Sequence, residues 1–119
     1  LVVDDSLLIQ KTASRALRRE GFAVTCVGNG AECLEALEVG QYDIVLLDIN
    51  MPVMDGYETI KRLRRLEKDS GDSRVRQVVI GCSANSDAAT REQATSLGMD
   101  GFVEKPLNVS ALQASFQQV

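Results

Sequence analysis

Asp43-Ile44-Val45-Leu46-Leu47-Asp48-Ile49-Asn50-Met51-Pro52-Val53-Met54-Asp55-Gly56 is the stretch on which the reading of this 119-residue chain turns. Residues 44–47 form an unbroken apolar run, the pattern of a parallel strand covered on both faces. The run ends in a carboxylate, so Asp48 is expected at the carboxyl end of a buried strand, where open α/β sheets gather their ligand chemistry. Pro52 and Gly56 bracket the loop that follows.

A single carboxylate in that position is commonly no more than a solvated strand end. Three other apolar runs end with matching chemistry: Leu1-Val2-Val3 leads into Asp4-Asp5, Val78-Val79-Ile80-Gly81-Cys82 into Ser83-Ala84, and Gly101-Phe102-Val103-Glu104 into Lys105-Pro106. Right-handed crossovers in a parallel sheet bring those four ends to one edge.

Helical patterns fill the intervals. Ser6 caps a helix running to about Glu20, with Ile9, Ala13, Ala16 and Leu17 on one stripe and Gly21 ending it. Residues 22–27 read as the second strand, and Gly28-Asn29-Gly30 turns into a short helix carrying Ala31, Leu34 and Leu37, closed by Gly40. After Gly56, Ile60, Leu63 and Leu66 recur with Lys61, Arg62, Arg64 and Arg65 between them, the interleaving of an ordinary solvated helix face.

Residues 68–77 read as an exposed loop. The helix expected over about 86–97 is the least apolar, resting on Ala88, Ala94 and Leu97, and a helix that buries little shifts cheaply. The last helix carries Val109, Leu112, Phe116 and Val119. Strand then helix, five times, predicts one α/β domain over residues 1–119, a parallel sheet with helices on both faces.

Composition narrows the function. With 13 Lys and Arg against 17 Asp and Glu, the net charge of -4 argues against nucleic-acid binding, which depends on neutralising phosphates. No apolar run approaches the roughly 18 residues of a membrane span, and no secretory leader is evident. The first strand starts at once with Leu1 and no Met, so the chain is read as continuing upstream. Cys26, Cys33 and Cys82 form no CxxC, and there is no His, so we expect three reduced thiols in a cytoplasmic protein and no imidazole chemistry. Neither a dinucleotide fingerprint nor a phosphate-cradling GxxxxGK[ST] loop follows any strand.

The strand-end residues must then carry the chemistry. Asp4, Asp5 and Asp48 brought together repel one another unless a cation sits among them, and hard carboxylate oxygens completed by water suit Mg²⁺. A phosphoryl group on Asp48 has oxygens that need partners: the metal for one, the Lys105 ammonium for another, the Ser83 hydroxyl and a backbone N–H for the third. Asp48 as nucleophile is sensible once that charge is answered, and the acyl phosphate it forms is hydrolysable, which suits a switch.

Val2-Val3-Asp4-Asp5, Leu46-Leu47-Asp48 with Ile49-Asn50-Met51-Pro52-Val53-Met54-Asp55-Gly56, Ser83-Ala84 and Lys105-Pro106 together resemble the marks of the response-regulator receiver domain of two-component signalling. The resemblance covers essentially the whole chain and implies a flavodoxin-like five-stranded sheet in the order 2-1-3-4-5. It implies Asp48 as phosphoacceptor, Asp5 as direct Mg²⁺ ligand, Asp4 acting through water, the backbone carbonyl of Asn50 as a further ligand, and Ser83 and Lys105 holding phosphoryl oxygens. Phe102 stands at the family's switch aromatic, and Lys105-Pro106 matches a cis peptide, a form that costs little only before proline.

The phosphodonor so implied is a phosphohistidine on a histidine kinase or histidine phosphotransfer domain, and Ser83-Ala84-Asn85 with the residues from Gly98 to Leu107 resembles receivers joined to hybrid histidine kinases, where the kinase lies in the same chain. Such a domain catalyses its own phosphorylation and slow dephosphorylation and is not a conventional turnover enzyme unless it is part of a hybrid histidine kinase. Two departures stand out: the connection over 68–77 is longer than the family commonly has, and Phe102 lacks the hydroxyl of the Tyr many members carry. The competing readings are an aspartate-nucleophile phosphatase, which needs a carboxylic acid two residues past the nucleophile where Asn50 stands, and a degenerate interaction module, which would not require the acidic set and lysine.

Overall fold

A computed structural model describes residues 1–70, 76–84, 87–105 and 108–117. Strands and helices alternate: β1 (Val2–Val3), α1 (Leu7–Arg19), β2 (Cys26–Val27), α2 (Gly30–Val39), β3 (Val45–Asp48), α3 (Gly56–Asp69), β4 (Val79–Ser83), α4 (Ala88–Leu97), β5 (Gly101–Glu104) and α5 (Val109–Gln117). The sheet is parallel throughout, in the order β2-β1-β3-β4-β5. This is the expected doubly wound, flavodoxin-like arrangement.

Alternation along the strands sorts the core into two layers. Val3, Val45, Leu47 and Val79 pack with Cys33, Ile60, Leu63, Ala94 and Met99 on the side of α2, α3 and α4. Val2, Leu46, Ile80, Cys82 and Val103 pack with Ala13, Leu17 and Leu112 on the side of α1 and α5. The unbroken run in β3 is thus covered on both faces, as its composition requires.

Each helix starts where a side chain can take up a free N–H. Ser6, Asn29, Asp55 and Asp87 cap α1 to α4, accepting from the backbone N–H of Ile9, Glu32, Glu58 and Thr90. Asp55 is therefore a capping residue, as its place before the third helix leads one to expect.

Two boundaries differ from expectation by two residues or more. The second strand covers only Cys26–Val27 and not residues 22–27, because its sole partner β1 has just two residues and a ladder cannot outrun the strand it pairs with. Phe22 and Val24 still pack against the α1 side of the core. The fourth helix starts at Ala88 and not about residue 86, behind the Asp87 cap. The peptide before Pro106, Asn85, residues 71–75 and Val119, all named in the sequence reading, lie outside the described residues, as do the side chains of Val109 and Phe116. Among the described residues no helix is long and apolar enough to cross a membrane.

Candidate functional site

The register decides which residues meet. Val3 pairs with Leu47, so Asp4, one residue on, stands level with Asp48. Asp48 pairs with Cys82 and Ser83 with Glu104, which brings Ser83 and Lys105 to the same rim one step further along. Asp4, Asp48 and Ser83 are buried, Asp5 and Asn50 are exposed, and Lys105 lies between.

One contact organises the group. The Lys105 ammonium lies 2.9 Å from Asp4 Oδ2 and 3.0 Å from Asp48 Oδ1. Its backbone N–H donates to the Ser83 carbonyl at 2.9 Å, which fixes the start of the side chain to the end of β4. Asp4 is held in turn by the Ser6 N–H, 2.9 Å from its Oδ1.

Carboxylate oxygens of Asp4, Asp5 and Asp48 all lie within 4.8 Å of one another. Three carboxylates against one ammonium leave a surplus of two negative charges. All the donors are hard oxygens, so the set fits a divalent hard cation.

The electrostatics follow from burial and pairing. Burial raises the pKa of Asp48 above its ordinary value; the Lys105 hydrogen bond and charge oppose this, and the Asp4 charge adds to it. Burial pulls the Lys105 pKa down, yet hydrogen bonds to Asp4 and Asp48 outweigh it and leave the ammonium favoured. Burial pushes the neighbouring Cys82 thiol up to about 12, so it stays protonated and acts as a small apolar residue.

The loop after Asp48 is closed by close approach and local strain. The Gly56 N–H donates to the Ile49 carbonyl at 2.8 Å, and a Cβ on Gly56 would press on the Asp48 carbonyl oxygen and stand 2.8 Å from Ile49 Cα. Only glycine lets the first turn of α3 sit on the end of β3. Between them the Met54 N–H donates to the Pro52 carbonyl at 2.8 Å across Val53, whose φ is +70°, a γ-turn of positive φ centred on a β-branched residue. A cleft of about 420 Å³ opens beside Asp4, Asp48 and Lys105, walled by Leu8, Ile9 and Thr12 of α1 and by Ala84.

The expected residues Asp4, Asp5, Asp48 and Lys105 thus converge, with Ser83 at the same rim. Phe102 does not join them: strand alternation places it with Gly81 on the α4 side of the sheet, packed against that half of the core. Asn50 contributes its backbone N–H, 3.4 Å from Asp48 Oδ1. Two contributors had no signal in the sequence. The Gln10 amide donates to the Asp4 carbonyl at 2.7 Å and the Val27 carbonyl at 3.2 Å, tying α1 to the site, and Arg91 lies over the Phe102 ring.

Residues 1–117 match the family model described as the response regulator receiver domain. A hybrid signal transduction histidine kinase of Dictyostelium discoideum is 34% identical over 116 residues, 92% of this chain but 6% of that protein. Two-component response regulator 24 of Arabidopsis thaliana is 33% identical over 113 residues, 94% of this chain and 76% of that one. The histidine kinases among these relatives are far longer than this chain, which spans 6% to 15% of them. The receiver domain of a sensor histidine kinase from Pseudomonas aeruginosa, solved with a magnesium ion coordinated in its active site cleft, has a TM-score of 0.82 at 30% identity, covering 98% of this chain and 92% of that one. Chemotaxis protein CheY4 of Vibrio cholerae has a TM-score of 0.83 at 26% identity, covering 99% and 94%.

Proposed function

The chain belongs to the response regulator receiver domain family, and from that premise we propose that it is a phosphorelay signalling domain in which Asp48 accepts a phosphoryl group from a phosphohistidine. The donor is a histidine kinase or a histidine phosphotransfer domain, and the likeness to hybrid kinases supports a place within a longer chain that carries its own kinase. A reducing cytoplasm, where three free thiols persist, suits that setting.

The observation that carries the reading is the Lys105 ammonium shared between Asp4 and Asp48 inside a cluster that keeps two uncompensated negative charges. A carboxylate oxygen of Asp48 forms a bond to phosphorus as the phosphorus–nitrogen bond to the donor imidazole breaks, and the imidazole leaves with the electron pair. The product is an acyl phosphate, and attack by water returns the carboxylate and inorganic phosphate. Held by Asp5, Asp48 and the Asn50 carbonyl, with Asp4 acting through water, Mg²⁺ would offset the charge of the incoming oxygens. Lys105 is already poised to follow one phosphoryl oxygen, since its ammonium is favoured where it stands. The Ser83 hydroxyl takes another and couples the site to Phe102, which biases the surface formed by α4, β5 and α5.

The test is labelling with a small acyl phosphate, with and without Mg²⁺, on wild type and Asp48→Asn. The expected result is Mg²⁺-dependent addition of one phosphoryl group to wild type alone. An adduct undiminished in Asp48→Asn would end the reading.

A further inference from the structure

The two ends of α4 are held by different means. Of its residues only Ala94 is buried, so packing contributes little. At its carboxyl end Gly98 is left-handed, with φ +112°, and its carbonyl accepts from Arg64 Nε at 2.9 Å and Arg76 Nη2 at 3.3 Å. Arg64 also donates to Asp100 at 3.0 Å and to Glu67 and the Gln77 carbonyl at 2.8 Å each. This largely buried network fixes that end of the helix to α3 and to the start of β4.

Nearer the amino end, the Arg91 guanidinium carbon lies 5.1 Å from the centroid of the Phe102 ring, within the range of a cation–π contact. Phe102 is half-buried, and it lies over Gly81: a Cβ there would stand 3.2 Å from Phe102 Cδ2 and 2.5 Å from Met99 Sδ. The space a side chain would take at Gly81 is already filled by Met99 and the edge of the ring, which is why the position is glycine. Outward, Arg91 and Phe102 border a cleft of about 490 Å³ together with Lys105, Asn108 and Ser115.

We infer that Arg91 is a positioning residue for Phe102, holding the ring in its half-buried place and thereby opposing the switched state. The inference rests on the receiver reading above. Arg91 is exposed on α4, so a ring that turns further inward moves out from under the guanidinium and gives up the contact. Binding of a phosphoryl group and burial of the ring are coupled, and coupling between two equilibria is reciprocal. Removing the attraction that favours the outer ring therefore strengthens the response at Asp48. An exposed cation–π contact corresponds to about a two- to fivefold change in that equilibrium.

The experiment titrates the domain with beryllofluoride and Mg²⁺, followed by amide resonances, for wild type, Arg91→Gln and Arg91→Lys. Arg91→Gln is expected to bind about two- to fivefold more tightly, and Arg91→Lys, which keeps a cation, to stay near wild type. A second measurement needs no ligand: the χ1 rotamer populations of Phe102, from three-bond couplings, should shift in Arg91→Gln and return in Arg91→Lys. Unchanged rotamers, or an affinity that is unchanged or weaker in Arg91→Gln, overturn the inference. Wild type that takes no beryllofluoride sinks the receiver reading instead, and the rotamer measurement still decides the role of Arg91.

Discussion

At the scale of single residues, Asp48 is kept at a cost to the fold. Burial holds its pKa above the ordinary 3.8, so the folded chain retains that proton longer than the unfolded one. Its contribution to stability is full below 3.8 and is lost as pH rises through the raised folded value. At neutral pH without divalent metal, Asp48→Asn is therefore expected to raise the melting temperature by roughly a few degrees while abolishing labelling. A lower melting temperature would show that the Lys105 pairing outweighs the burial.

Lys105 is the converse. Lys105→Ala leaves Asp4 and Asp48 facing each other without their shared cation, a loss of about 3 kcal/mol for a buried pair broken on one side. Denaturant unfolding should show that loss in metal-free buffer and a partial recovery on adding Mg²⁺. Phosphorylation is expected to persist in this variant while the resonance changes on α4 and β5 weaken; a fully responsive variant would contradict the role given to the ammonium.

The carboxylates and the lysine were legible because each follows an apolar run, and a strand exit is a position that sequence marks. Gln10 and Arg91 were not. Each acts through a neighbour distant in the chain, Val27 for one and Phe102 for the other, and no spacing announces such a pair.

At the scale of elements, the helices could be read from their caps and stripes, whereas the second strand could not be read for length. Pairing sets strand length, and β1 offers β2 only Val2 and Val3 to pair with. The loop from Asp48 to α3 holds the clearest local strain. A positive φ at a β-branched residue costs about 1–3 kcal/mol, and the Val53 side chain is 83% exposed, so packing returns little of it. Val53→Asn, which tolerates that φ, is expected to stabilise the domain by about 1 kcal/mol. Chemical denaturation tests this, and no gain would mean that the turn relaxes in the variant.

At the scale of the molecule, the parallel sheet followed from the alternation of elements, whereas the strand order came from the resemblance to receiver domains and not from the pattern itself. What composition could not show is how unequal the three thiols are. Burial pushes Cys33 and Cys82 each up to about 12, whereas Cys26 is only half-buried, beside Ser14. Alkylation at pH 8 of the folded domain should modify Cys26 first and leave Cys33 and Cys82 protected until denaturant is added. As pH climbs from the ordinary thiol value of 9.0 toward 12, unfolded thiols ionise before folded ones, so stability falls across that window.

The sheet separates Asp4, Asp48 and Lys105, on the α1 and α5 side, from Phe102 and Gly81 under α4. On the proposed reading it is a layer one sheet thick between the carboxylate that receives a group and the ring that answers it. A donor at the Asp48 rim and a listener on α4 are, on that same reading, kept apart by that layer, so the message need not wait for the messenger to leave.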